Sequence, residues 1–258
     1  MPELPDIAVF SKNLDAIFAG AKLVKLKVVN GQKLQDKPAA LTKALQGKKL
    51  RRIYRSGKEM RFEFEKAPLL GLHLMLTGDI ILFEKENSHH STIVEFYFDN
   101  GRSFALTDRM KNANVRLDPI DKEGVDALSA ELNFTYLKAA MNRKRPIKKL
   151  LIDQDIIRGI GNSYSDEILW LTKISPYSVS KAIPDEKIKE LVKAIKSILS
   201  KEIKQIDKNY PGKVNGEVKD FLKIHTKAKE KSPTGAKIII DQSGMMKTYY
   251  TNEQELYK

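Results

Sequence analysis

Cysteine is absent from this 258-residue chain. That excludes disulfides, thiolate metal sites and cysteine nucleophiles, and it fits a cytosolic protein. Long apolar runs are absent as well. No segment approaches the roughly 20 apolar residues that a membrane span needs, and the first residues carry no signal-peptide pattern. Internal repeats and low-complexity tails are missing, and tryptophan occurs once, at Trp170. What the chain has in excess is positive charge. Lys+Arg is 46 against 33 for Asp+Glu, a net charge of +13. Such an excess points to a polyanionic partner, most often nucleic acid. A lysine-rich proteome with solvated lysines would give the same total, so charge alone does not decide. The length accommodates one large core or two smaller ones, and two is the expected number.

The opening, Met1-Pro2-Glu3-Leu4-Pro5-Asp6, carries the most specific chemistry. Removal of Met1 would leave a proline with a free secondary amine beside a carboxylate. A free α-amino group titrates near ~7.7–8.0, against ~10.4 for a lysine side chain, so part of it is a nucleophile at neutral pH. Pro5 sits where helices start, and the positive end of the following helix would disfavour the protonated amine. This is one way to build an amine nucleophile without cysteine or serine. Many chains also begin Met-Pro with no consequence, so the rest of the sequence must decide.

Ile7, Phe10, Leu14 and Ile17 recur at helical spacing up to Gly20, which predicts an N-terminal helix with one buried face. Short strands are predicted at 22–29, 50–55, 60–65, 69–76, 80–84, 93–98, 102–106 and 114–117. Turn signals such as Asn30-Gly31, Ser56-Gly57, Thr77-Gly78 and Asp99-Asn100-Gly101 separate them. Many short strands joined by hairpin turns indicate an antiparallel sandwich or barrel. From Lys122 helical periodicity dominates. One helix is expected from Pro146 toward Arg158, a second over 163–171, and a long third opened by Pro184 with Ile188, Leu191, Val192, Ile195, Ile198, Leu199 and Ile203 on one face. Two β-like runs, 237–240 and 247–251, flank Asp241-Gln242-Ser243-Gly244 and read as a hairpin.

Between the first two of those helices lies Arg158-Gly159-Ile160-Gly161-Asn162-Ser163-Tyr164-Ser165-Asp166-Glu167-Ile168-Leu169-Trp170. A tight glycine turn into a helix exposes backbone N–H groups, a natural phosphate site, although an ordinary helical hairpin has the same form. Together the Pro-Glu-Leu-Pro-acidic opening and the Gly-Ile-Gly-Asn-x-Tyr-x-Asp-Glu-Ile-Leu-Trp run resemble the formamidopyrimidine-DNA glycosylase / endonuclease VIII family, the second matching its helix–two-turn–helix element. The resemblance covers essentially the whole chain in order.

The resemblance implies roles by position. Pro2 matches the nucleophile that attacks C1′ of a damaged nucleotide to form a Schiff base, and Glu3 the acid that assists opening of the sugar ring. Lys58 matches the hairpin lysine that contacts phosphate and lesion, Met75 the residue that fills the space left by the everted base, and Asn162 the phosphate-binding asparagine. Chemistry on C1′ requires the nucleotide out of the stack and an apolar wedge in its place. An imine then makes β-elimination available without a metal or redox cofactor, so no cofactor is expected.

Three departures from the family pattern stand out. The four-cysteine zinc finger that usually ends the chain is replaced by Ser232, Gly235, Tyr250 and Glu253, a set that cannot hold zinc, which resembles the zincless fingers of some relatives. The finger arginine falls at Met245, with Lys247 close enough to substitute as a point charge rather than a bidentate fork. The loop that usually reads Asp-Pro-Arg-Arg-Phe-Gly is Asp108-Arg109-Met110-Lys111-Asn112-Ala113. Arg109 or Lys111 stands in for its arginine, and Met110 for part of its wedge. His73 reads as structural or DNA-adjacent, His89 and His90 as a solvated loop, Trp170 as core, and Arg143-Lys144-Arg145 as a solubilising surface run or, favoured by the resemblance, a phosphate contact.

The expectation is an α+β fold. An N-terminal helix plus antiparallel β-sandwich occupies 1–120, a helix–two-turn–helix domain 121–225, and a zincless β-hairpin finger 226–258. The expected function is a bifunctional DNA glycosylase and abasic-site lyase of base excision repair, acting by β- or β,δ-elimination on damaged double-stranded DNA bound in a basic cleft between the domains. Catalysis would fall to Pro2, Glu3 and Lys58, and DNA contact to Met75, Arg109, Lys111, Asn162 and Lys247. A monomer without membrane association, cytoplasmic and held to the nucleoid through DNA, completes the expectation. A lesion- or structure-binding protein of the same fold with weak or no glycosylase activity is the alternative.

Overall fold

The computed structural model describes residues 1–244 and 246–258. Its contacts divide the chain into two compact units, Met1–Asp121 with Ile206–Glu217, and Lys122–Gln205 with Val218–Lys258.

In the first unit, α1 (Leu4–Phe18) starts from the extended backbone of Glu3. Pro5 falls in the first turn, where its missing N–H costs nothing, and the Glu3 N–H donates to Asp6 Oδ2 at 3.0 Å in a reciprocal capping box. Ile7, Phe10, Leu14 and Phe18 form the buried stripe. The chain continues through β1 (Leu23–Val28), α2 (Pro38–Leu45), β2 (Leu50–Ser56), β3 (Glu59–Phe64), β4 (Leu70–His73), β5 (Gly78–Phe83), β6 (Thr92–Phe98), β7 (Ser103–Asp108) and β8 (Asn114–Leu117). Two antiparallel sheets result, ordered β1-β6-β7-β5 and β2-β3-β4-β8. One core serves both: Phe62 of β3 stacks on Phe104 of β7 at 5.6 Å, and Phe104 also meets Phe18 and Phe96. Val214, from the second segment of this unit, joins that core.

Two differences from the sequence expectation have local causes. Helix α2 interrupts a stretch read as a connection, with Pro38 at its start and only Leu41 and Leu45 buried, too short an apolar pattern to stand out. Strand β4 ends at His73 rather than running to 76, because Met75 adopts a φ of +55° that no strand continues through.

The second unit runs β9 (Val125–Asp126), α3 (Phe134–Met141), α4 (Ile147–Leu151), β10 (Ile157–Arg158), α5 (Asn162–Leu171), a short 3₁₀ turn at Ser180–Ala182, α6 (Asp185–Asn209, whose last residues belong to the first unit), β11 (Ile239–Asp241) and β12 (Thr248–Tyr250). The helix expected from 146 to 158 stops at Leu151. Side chains take over its backbone bonds: Asp153 accepts the Asp155 N–H and pairs with Arg145 at 2.9 Å, while Gln154 donates to the carbonyls of Ile152 and Ile160 and accepts the Gly159 N–H. Asx and amide side chains of this kind compete with the helical ladder. The freed chain becomes β10, parallel to β9.

Helix α6 buries Ile188, Leu191, Ile195 and Leu199 as expected, and Glu202 on the same face, 7% exposed. Burial pushes the Glu202 carboxyl up to about 7, the Glu167 carboxylate adding to the effect while Lys223 and Lys201 oppose it. Between its ordinary value of 4.5 and about 7 the native state holds a proton that the unfolded chain has released, so stability falls as pH rises through that window. Glu202→Gln is expected to remove this decline and to be more stable than the parent above pH 7, by on the order of 2–3 kcal/mol. Urea unfolding at pH 5 and pH 8 checks it; an unchanged pH dependence in the variant would count against the burial of this carboxyl.

Candidate active site and nucleic-acid interface

The first unit gathers the N-terminal residues and two loops. Pro2 is buried and Glu3 is 3% exposed at the positive end of α1. Gly57, with φ +58°, makes the tight β2–β3 turn that presents Lys58. Burial pushes the half-buried Lys58 ammonium below its ordinary value, and the Glu3 carboxylate pulls it back, so these two side chains share one electrostatic environment. The Met1 amine lies 3.1 Å from Glu217 Oε2. That carboxylate is held by the segment 206–217, which is tied down where Asn13 donates to the Lys213 carbonyl at 2.8 Å and the Gly216 N–H donates to Asp79 at 3.0 Å.

The turn after β4 is built on His73. Burial pushes the His73 ring below its ordinary value against the pull of Glu59, with Lys58, Arg116 and Arg61 adding to the shift. Its Nδ1 accepts the Met75 N–H at 2.9 Å, which holds Met75 in its left-handed conformation. Leu76, next in the chain, is 61% exposed at the tip of this turn.

One buried carboxylate connects this turn to the loop that follows β7. Asp108 is 1% exposed. It accepts the Thr77 hydroxyl and the N–H groups of Met110, Asn112 and Ala113 at 2.9, 2.7 and 2.8 Å. Burial alone would raise its carboxyl; those four hydrogen bonds outweigh burial and hold it below the ordinary carboxylate value. Arg109, Met110 and Lys111 are thereby displayed outward, Lys111 at φ +55°, and Lys33 braces the loop through the Met110 carbonyl and Asn112. Gly78 is obligatory beneath the turn, since a Cβ there would stand 2.2 Å from the Leu74 carbonyl oxygen.

In the second unit Asn162 is the first residue of α5, and its Nδ2 donates to the Lys247 carbonyl at 3.0 Å. Asn162 and Lys247 are thus brought together, with the half-exposed Lys247 side chain at the start of β12. Met245, where the finger arginine was expected, lies outside the described residues. The residues at the cysteine positions do not fit zinc. Ser232 Oγ is 2.8 Å from Thr234 Oγ1, which donates to Glu253 at 2.8 Å; Thr251 donates to the same carboxylate, and Lys173 pairs with it at 3.2 Å. Hydroxyls and one neutralised carboxylate offer no thiolate or imidazole set.

The sequence reading missed Leu76, Asp108 and Glu217. A leucine inside an apparent strand gives no sign that it will be exposed, Asp108 reaches across to Thr77, and Glu217 meets the far end of the chain.

A helix-led antiparallel sandwich joined to a helix–two-turn–helix unit defines a DNA glycosylase architecture, and similarity to known proteins agrees. The formamidopyrimidine-DNA glycosylase N-terminal domain profile matches residues 1–115 and the formamidopyrimidine-DNA glycosylase H2TH domain profile residues 124–210. The chain belongs to the formamidopyrimidine-DNA glycosylase family, DNA glycosylases of base excision repair. Among its relatives are formamidopyrimidine-DNA glycosylases of Chloroflexus aurantiacus, 31% identical over 79% of this chain and 77% of the relative, and of Lactobacillus gasseri, 29% identical over the whole of both. The Lactococcus lactis Fpg in complex with abasic-site DNA has the same fold, with a TM-score of 0.87 at 23% identity, covering 98% of this chain and 99% of that one. Among the described residues no helix is long and apolar enough to cross a membrane.

Proposed function

We propose that this protein excises an oxidised base from damaged duplex DNA and nicks the strand at the resulting abasic site, with the Pro2 amine, freed by removal of Met1, as the nucleophile. The observation that carries this reading is the buried Pro2-Glu3 pair at the head of α1, electrostatically coupled to Lys58. The amine attacks C1′; the glycosidic electrons leave with the base, and Glu3 supplies the proton for sugar-ring opening. The iminium so formed acidifies a 2′ hydrogen, whose loss expels the 3′ phosphate. Lys58, with its lowered affinity for a proton, sits beside this chemistry to hold phosphate or to exchange a proton. No metal or redox cofactor enters any of these steps.

Arg109, Lys111, Asn162 and Lys247 are assigned to DNA contact, and the Met75-Leu76 turn to the space left by the everted nucleotide. Exposure favours Leu76 as the group that enters the stack, with Met75 and His73 shaping the turn behind it. Leu76→Ala is therefore expected to lower kcat/KM on duplex substrates about 10-fold and to affect single-stranded abasic DNA much less, since only the duplex needs a wedge. Met75→Ala is expected to change duplex activity by under about 3-fold; a larger loss for Met75 than for Leu76 would reverse the assignment. The activity so proposed would act on DNA in the cytoplasm, a reading that the bacterial relatives support.

Nicking of duplexes that carry a single 8-oxoguanine, an oxidised pyrimidine or an abasic site tests the function. Excision from at least one base-containing duplex is expected. Tight binding to all three with no product would move the reading to a lesion-binding protein.

A further inference from the structure

Helix α5 carries two consecutive buried acids, Asp166 and Glu167, 0% and 4% exposed. Each collects partners from distant segments. Glu167 accepts the backbone N–H groups of Lys223, Ile224 and His225, all at 2.8 Å, and so fixes the segment that leads into the hairpin. Asp166 has no role in the chemistry above, yet it joins three elements. Its Oδ1 lies 2.7 Å from Lys148 Nζ of α4, and its Oδ2 lies 2.7 Å from His225 Nδ1 and accepts the Tyr249 N–H of β12 at 2.9 Å. Lys148 in turn donates to Thr248 Oγ1 at 3.0 Å and to the Lys247 carbonyl at 3.2 Å, the same carbonyl that receives Asn162. Around this polar centre Trp170, Ile224, Ile238 and Tyr249 form a small apolar cluster, and the His225 ring packs on Tyr249 at 4.3 Å.

A structural zinc in such a hairpin would fix the strands to one another and to the chain before them. The residues at the metal positions do not fit that ion, while the hairpin's other edge is held by a buried carboxylate that gathers the same kinds of segment. We propose that Asp166, with Lys148 and His225, is a metal-free clasp that docks the paired strands β11 and β12 onto α4 and α5, and that these three are positioning residues for the Asn162–Lys247 pair. The functional half of this inference rests on the DNA-contact assignment above. The docking half stands on geometry alone.

The physical reason for a charged clasp is that its parts are useful only together. Lys148 Nζ forms an ion pair with Asp166 Oδ1 and donates hydrogen bonds to the two hairpin acceptors. Removing one partner leaves a buried charge without compensation, so the hairpin is released rather than shifted.

Trp170 is the only tryptophan and lies in the docking cluster, so its fluorescence reports the hairpin directly. In full-length protein, Asp166→Ala and His225→Phe are each expected to raise acrylamide quenching of Trp170 several-fold while far-UV helicity and the sandwich remain. His225→Asn, which keeps a donor near the Nδ1 position, is expected to restore most of the parent's protection. Affinity for abasic duplex should fall about 10-fold in the released variants, and the slope of log K against log [salt] should shrink by about 1, the loss of one lysine contact. Schiff-base trapping at saturating DNA should persist, since Pro2 belongs to the other unit. EDTA should leave the parent's Trp170 protection unchanged. If Asp166→Ala does not fold, His225→Phe, which keeps the Lys148–Asp166 pair and a ring against Tyr249, carries the test. Unchanged quenching in His225→Phe, or a parent hairpin released by EDTA, would overturn the clasp. A parent that binds no abasic DNA would instead defeat the DNA-contact assignment and leave the fluorescence test standing.

Discussion

Protein that keeps Met1, or that carries an extra residue ahead of Pro2→Gly, is expected to lose at least ~10³-fold in single-turnover nicking of abasic duplex, about 4 kcal/mol of transition-state stabilisation. Binding to the same DNA should change by no more than a few-fold. The argument is chemical. An amide nitrogen has no available lone pair, so a residue ahead of Pro2 removes the nucleophile rather than weakening it. One helix end acts on the charge of that amine. The positive end of the 15-residue α1 opposes a cation at its head. Glu217, whose carboxylate meets the Met1 amine, acts in the opposite sense and keeps a proton acceptor within about one residue's reach of Pro2. Nicking that survives in protein verified by mass to be blocked at its N-terminus would transfer the nucleophile's role to a lysine, with Lys58 the first to replace.

The second large effect is expected at a residue that touches no DNA. Asp108→Ala should destabilise the first unit by about 3–4 kcal/mol, because a hydroxyl and three backbone N–H groups lose their shared acceptor in a buried position. Asp108→Asn should do little better, since its amide turns two donors toward groups that are already donors. Both variants should also weaken binding to damaged duplex DNA, because the 109–111 loop and the Leu76 turn are ordered by the same carboxylate. The pH dependence has a definite sign. The folded carboxyl lies below its ordinary value of 3.8, so its contribution is complete above that pH and is lost as the pH falls toward the folded value. Denaturant unfolding of parent and Asp108→Asn should therefore converge in acid and diverge near neutrality. A gap independent of pH would show that the hydrogen bonds to the ionised form are not what stabilises the loop.

The sequence announced the eight sandwich strands because short β-like runs and the Gly- and Asn-containing turns between them are local. The long α6 and the Pro5 start of α1 were legible for the same reason. Helix α2 is too short to establish a period, and the 146–158 segment carries an apolar pattern that Asp153 and Gln154 override with side-chain bonds to the backbone. Within the site, Pro2, Glu3, Lys58 and Asn162 announce themselves through short motifs. Asp108, Asp166 and Glu217 do not, because their meaning lies in partners that only folding supplies: Thr77 for the first, Lys148, His225 and Tyr249 for the second, and the chain's first amine for the third. Leu76 was hidden by a strand that ends earlier than its hydrophobicity suggests.

The most direct test of the central claim is to locate the covalent link. Protein lacking Met1 is incubated with abasic duplex and borohydride, the adduct is digested, and the modified peptide is sequenced by mass spectrometry. Pro2 as the Schiff-base nucleophile predicts a reduced sugar remnant on the Pro2 nitrogen of the N-terminal peptide and nowhere else. A remnant on Lys58 or another lysine, with an unmodified Pro2, would contradict it.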